Sequence, residues 1–182
     1  MLQHQLLIYP AAILFLLGIP SWMIDHLIAW PLVQHPLRLI TQPVVCAIVY
    51  SGVIGVWHVP ALYDLALRDK VVHIVEHISF FLVALLNWWP LLSPSRLVPP
   101  RSYAVQMLYL VGVLIAMTPA FAFITFASDI LYPTYEYAPR LFANFSAADD
   151  QLLAGSMMKL VGVVVSLAAF GTIFYRWYQE KK

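Results

Sequence analysis

Residues 71–92 read VVHIVEHISFFLVALLNWWPLL, and Glu76 is the one charged side chain among them if histidines are counted neutral. A bilayer core takes ~20 mostly apolar residues per helical crossing, so this stretch predicts a transmembrane helix. Trp88-Trp89-Pro90 closes it: two aromatic rings suited to the membrane interface, then a residue with no amide donor. The helix begins on His73, Glu76 and His77. Polar residues that a lipid-facing helix would not tolerate are therefore grouped at one end.

Four further stretches have the same character, at about residues 5–24, 43–60, 103–127 and 150–175. Together the five use up most of the 182 residues, of which 62% are hydrophobic and 10% charged. A soluble domain of this size carries roughly a quarter charged residues. The expected fold class is an all-α integral membrane protein, a bundle of about five transmembrane helices in a single membrane domain spanning 1–182. Pro10 and Pro20 are expected to kink the first span. Residues Met1 to Gln5 lack the basic start of a signal peptide, so the first stretch reads as a retained helix.

The connections are consistent with this layout. Asp25 to Gln42, with Trp30, Pro31 and Pro36, reads as an interfacial segment. Ser93 to Arg101 is a polar turn. Asp129 to Asp149 is the longest connection and carries Tyr132, Tyr135, Tyr137, Phe142 and Phe145, which predicts a flap on the membrane surface. With five spans the termini lie on opposite sides. Arg38, Arg96, Arg101, Arg176, Lys181 and Lys182 fall on the C-terminal side, against Arg68, Lys70 and Arg140 on the other. The excess of positive charge places the C-terminus in the cytoplasm and the N-terminus outside.

Composition excludes several classes. A net charge of +1 leaves no nucleic-acid footprint. Cys46 is the only cysteine, so there is no intrachain disulfide and no paired-cysteine metal or redox motif.

By this orientation His4, His58, His73 and His77 all lie toward the outer face. His73 and His77 are spaced i, i+4, on one side of a helix and one turn apart, a spacing that lets two imidazoles share a metal ion. Glu76 between them can orient an imidazole or serve as a ligand. His58 comes from the neighbouring span, and His4 is a fourth ligand if span one packs beside them. Imidazole suits copper, zinc, iron and nickel alike. Met157 and Met158 in span five offer soft thioethers, suited to Cu(I). Asp149, Asp150 and Gln151 stand at the mouth of that span. Lys159 lies about nine residues in, ~13 Å along the helix, where an ammonium needs a partner; a contact with Glu76, direct or through water, is expected.

At these residues the chain resembles the CtaG-like family of bacterial cytochrome c oxidase assembly factors linked to caa-type oxidases. The matching elements are Gln3-His4 with Gly18-Ile19-Pro20, Trp57-His58-Val59-Pro60-Ala61-Leu62-Tyr63-Asp64 and Val72-His73-Ile74-Val75-Glu76-His77. Trp88-Trp89-Pro90, Leu131-Tyr132-Pro133-Thr134-Tyr135 and Asp150-Gln151-Leu152-Leu153-Ala154-Gly155 complete them. The resemblance implies a multi-pass protein of the bacterial cytoplasmic membrane that handles copper for a haem-copper oxidase. His58, His73, Glu76 and His77 are then its functional residues, with Asp150 and Gln151 close by. Many family members carry further N-terminal helices, and another histidine four residues before the position of His4.

The leading expectation is a non-enzymatic assembly factor that binds copper, as Cu(I), at the outer face and passes it to a cytochrome c oxidase subunit, with membrane lipid as its solvent and a homo-oligomer as an open alternative. A b-type haem protein using two of the histidines and a metal-free structural subunit are the other readings. A membrane metallohydrolase using His73, Glu76 and His77 ranks last, because the inverted zincin spacing it would share belongs to enzymes working in water-filled clefts.

Overall fold

The computed structural model describes residues 1–137 and 145–182. Arg140 and Phe142, used above for orientation and for the flap, lie outside the described residues. No strand occurs among the described residues. The helices are α1 (Leu2–Gly18), α2 (Ser21–Ile28), α3 (Pro31–Ile40), α4 (Pro43–Trp57), α5 (Pro60–Arg68), α6 (Lys70–Leu92), α7 (Tyr103–Thr125), the single turn α8 (Pro133–Glu136) and α9 (Ala147–Glu180).

Three of these, α6, α7 and α9, are each long and apolar enough to cross a membrane, and the number rises to five if the bent pairs α1–α2 and α3–α4 each make one crossing. The chain is a multi-pass membrane protein. The bends revise two expected boundaries. The first span was drawn through residue 24, but the helix stops at Gly18, and Pro20 starts a new segment turned by 90°. A proline disfavours helical backbone in the residue before it, and Ile19 is accordingly extended (φ −78°, ψ 121°). The second span was drawn to residue 60 but ends at Trp57. Val59 is extended ahead of Pro60, which opens α5. The expected interfacial segment is helical: α3 meets α4 at 75° and exposes Trp30, Leu32 and Leu39.

The five long helices close into a ring. α6 packs against α1 and α4, and α4 and α9 both pack against α7. The ring closes where Tyr9 of α1 meets Gly162 of α9; a Cβ at that glycine would lie 2.8 Å from the tyrosine oxygen. At Gly155 a Cβ would run into Thr125 Oγ1 and stand 3.3 Å from the Thr125 backbone nitrogen. Small residues thus let α9 sit directly on its neighbours, as membrane helices require.

Prolines inside these helices free backbone groups that lipid cannot satisfy. Pro10 sits in a π turn over Leu7–Ala11, and the Trp88 indole N–H donates to the Ile8 carbonyl of that turn at 3.1 Å. In α7 the ladder breaks at Met117, ahead of Pro119. There Lys159 donates to the Leu114 carbonyl (3.1 Å) and to Thr118 Oγ1 (2.9 Å). This corrects the expected Glu76–Lys159 contact. The ammonium found its acceptors at the break in the adjacent helix, where the Leu114 carbonyl also accepts from Thr118 Oγ1 at 2.9 Å.

At the end of the bundle away from His4, His58, His73 and His77, Asp25 organises the Ser93–Arg101 turn. Its carboxylate accepts from Ser95 Oγ (2.6 Å) and from the Arg96 amide (3.0 Å). Arg38 of α3 donates to the Leu97 carbonyl there (3.2 Å).

Two outcomes are expected in detergent. Gly155→Ala should lower stability by about 1–3 kcal/mol through overpacking, whereas Gly55→Ala, whose Cβ meets nothing within 4 Å, should leave the melting temperature unchanged or slightly raised. In double-mutant cycles, Lys159→Met and Thr118→Val should couple by roughly 0.5–3 kcal/mol, while Lys159→Met and Glu76→Gln should add within about 0.5 kcal/mol. Strong coupling of the second pair would restore the direct contact.

Candidate metal centre

The site is assembled at one end of the bundle, where α1 and α6 begin and α4 ends. α6 starts cleanly because Asp69 caps it, accepting from the Val71 and Val72 amides at 2.7 and 3.0 Å. Packed against α1 and α4, the helix turns Glu76 and Phe80 into the bundle, where they are 2% and 0% exposed, while His73 and His77 stay half-buried. α1 lies against this face and contributes His4, 5% exposed.

His4, Glu76 and His77 form a group whose ligand atoms all lie within 4.8 Å of one another. His4 Nε2 is 3.8 Å from one carboxylate oxygen of Glu76, and the His4 and His77 rings are 5.0 Å apart, edge to face. His73 is at the rim: its ring is 4.2 Å from that of His77 and its Nδ1 is 3.9 Å from the other Glu76 oxygen. The same Nδ1 reaches the Ala66 carbonyl at 3.2 Å; as a donor there, it leaves Nε2 with the lone pair. Glu76 Oε1, His77 Nε2 and His4 Nδ1 are buried and make no hydrogen bond.

His58 does not join this group. It ends α4, where its Nδ1 lies 2.7 Å from the Ile54 carbonyl, and its ring stacks on Phe80 at 6.1 Å and tilts against Tyr63 at 6.0 Å. His4 packs edge-on to the same Phe80 at 4.7 Å. His58 and His4 also line one narrow cavity along the axis of the ring of helices. The helix-start histidines of α6 therefore face the carboxylate, while His58 faces the axis.

The residues expected at the mouth of the fifth span have distinct positions. Ser146 is the N-cap of α9 and Asp149 completes a capping box with it. Asp150 is half-buried in the first turn. Gln151 is a tether: it accepts from the Leu131 amide at 2.8 Å and donates to the Asp129 carbonyl at 3.3 Å. Met158 is buried and lines the axial cavity together with Lys159, while Met157 is half-buried and is not among its lining residues.

The described part of the expected flap packs on His58 and α5. Tyr132 donates to the His58 carbonyl at 3.0 Å, and its ring packs on Tyr63 at 4.4 Å. The Tyr135 and Tyr63 hydroxyls are 3.3 Å apart, and Arg68 donates to Thr134. Burial holds the Tyr132 phenol above its ordinary range, so it remains a protonated donor. The sequence places Tyr132 in an aromatic loop and in one of the elements that carry the family resemblance, without a role at the site, and it passes over Gln5 and Phe80. The signal for Gln5 was its place beside His4 in an apolar run; nothing local marked Phe80.

The family model described as cytochrome c oxidase caa3 assembly factor (Caa3_CtaG) matches residues 1–180. No curated protein and no solved structure matches the chain. The family match covers every element of the site, from His4 to Gln151. The chain belongs to the Caa3_CtaG family of cytochrome c oxidase caa3 assembly factors.

Proposed function

We propose that this assembly factor binds copper, as Cu(I), between His4, Glu76 and His77 near the outer face of the bacterial cytoplasmic membrane and delivers it to a cytochrome c oxidase subunit. One observation carries the reading. Glu76 is 2% exposed in a membrane helix and has an oxygen with no hydrogen-bond donor, facing two imidazoles. A buried carboxylate without a partner costs several kcal/mol, and such a group inside a membrane marks a functional site. A cation shared with two imidazoles removes that cost. His73, half-buried at the rim, is placed to receive or release the ion.

Delivery needs a seat that opens. The Tyr132–Tyr135 segment closes over His58 through single hydrogen bonds and ring contacts, and the Gln151 side chain holds its start. Each such bond is worth about 0.5–1.5 kcal/mol, so an oxidase subunit can displace the segment at modest cost. The role is transfer, without a chemical step. The apolar outer surface faces lipid, and self-association through it is compatible with this role. The axial cavity of about 40 Å³ has room for a few water molecules, which favours an ion over a b-type haem.

Elemental analysis of protein purified under reducing conditions should find copper in wild type and at most half as much in a Glu76→Gln/His77→Ala variant that retains its helical circular dichroism. Equal copper in both would reject the site, and a Soret band in wild type would transfer the reading to haem. The orientation has its own check. A reporter that works only in the cytoplasm should be active when fused after Lys182, and its silence there, with activity at the N-terminus, reverses the topology.

A further inference from the structure

The axial cavity collects polar atoms that the outer site does not use. His58 is 5% exposed, and its Nδ1 can only donate to the Ile54 carbonyl at 2.7 Å. The ring is therefore held in the tautomer whose lone pair is on Nε2. That nitrogen is buried and has no partner. Gln5, also 5% exposed, turns an unpartnered Oε1 inward, and His4 has an unpartnered Nδ1 in addition to the Nε2 that faces Glu76. All three residues line one cavity, and the buried thioether of Met158 lines it with them. Lys159 borders the same cavity but spends two of its protons on Leu114 and Thr118.

We infer that this cavity is a second, inner seat for a soft monovalent cation, with His58 Nε2 and the Met158 sulfur as its principal ligands and Gln5 Oε1 beside them. The inference rests on the copper reading of the outer site for the identity of the ion, which is Cu(I). Thioether and imidazole are ligands that Cu(I) accepts. The inner set is neutral, so it compensates a single charge better than a double one, because an uncompensated buried charge is costly. The outer seat, by contrast, has a carboxylate. His4 is common to both: one ring nitrogen faces Glu76, and the other is the unpartnered atom of a residue lining the cavity. A neutral imidazole has one lone pair, so His4 serves one seat at a time, its ring proton moving to the other nitrogen as the ion passes between them, and the inner seat is a reserve shielded from water and oxidant.

The test loads purified protein with Cu(I) anaerobically against a chromophoric cuprous chelator, then records copper X-ray absorption. Wild type should hold two Cu(I) per chain with a copper–sulfur contribution. Met158→Leu, which conserves volume, should hold one and lose that contribution, and His58→Gln should also hold one. Glu76→Gln/His77→Ala should hold one and keep the sulfur contribution. A wild type with one Cu(I), no sulfur scattering and no change in Met158→Leu overturns the inner seat, leaving the outer reading intact and the cavity to water. Two Cu(I) retained in Glu76→Gln/His77→Ala would instead reject the outer seat, and no Cu(I) in wild type removes both.

Discussion

Inside a bilayer a polar atom has no water to turn to, and that constraint organises this protein from its kinks to its site. Prolines open the ladders of α1 and α7, and in each case a side chain from another helix reaches the opened region: the Trp88 indole to Ile8, the Lys159 ammonium to Leu114. Deep in the bundle, Tyr109 donates to Asn87, and two polar side chains satisfy each other. Against that background the exceptions carry meaning. Of the eight buried side-chain atoms without a hydrogen-bond partner among the described residues, five belong to His4, Gln5, His58, Glu76 and His77. Most of the unpaired atoms thus gather where an ion can sit.

The same economy explains how the helices converge. Gly155 and Gly162 bring α9 into direct contact with α7 and α1, which closes the ring and narrows its axis to a slim cavity. Phe80 is wholly buried and touches the rings of both His4 and His58. Its packing fixes the orientation of two imidazoles on different helices. Under the copper reading proposed above, the site must bind tightly enough to protect the ion yet loosely enough to release it, and rigid walls with few ligands meet both needs.

Much of the architecture was legible in the chain itself. Apolar runs of membrane-spanning length identified the crossings, and the spacing of His73, Glu76 and His77 put three polar side chains near one another on a single helix; Trp88-Trp89-Pro90, expected as an interfacial anchor and helix stop, instead lies within α6, with Trp88 buried against α1. These are local properties: the 3.6-residue period and the cost of polar groups in lipid operate within a segment, so the segment displays them. The Trp-His-x-Pro and His-x-x-Glu-His elements also sufficed to suggest the family that the match over residues 1–180 establishes.

What the sequence could not decide is which nitrogen meets which partner. Lys159 belonged with Glu76 by charge, yet a proline kink in α7 offered nearer acceptors. His58 belonged with His73 and His77 by depth, yet the end of α4 turns its Nδ1 back onto Ile54 and its ring onto Phe80, toward the axis. His4, at the start of the first span, proved to be the residue that faces Glu76. Each of these outcomes depends on the rotation of one helix against another. Rotation is set by packing between residues distant along the chain, such as Tyr9 against Gly162, and only the assembled bundle determines it.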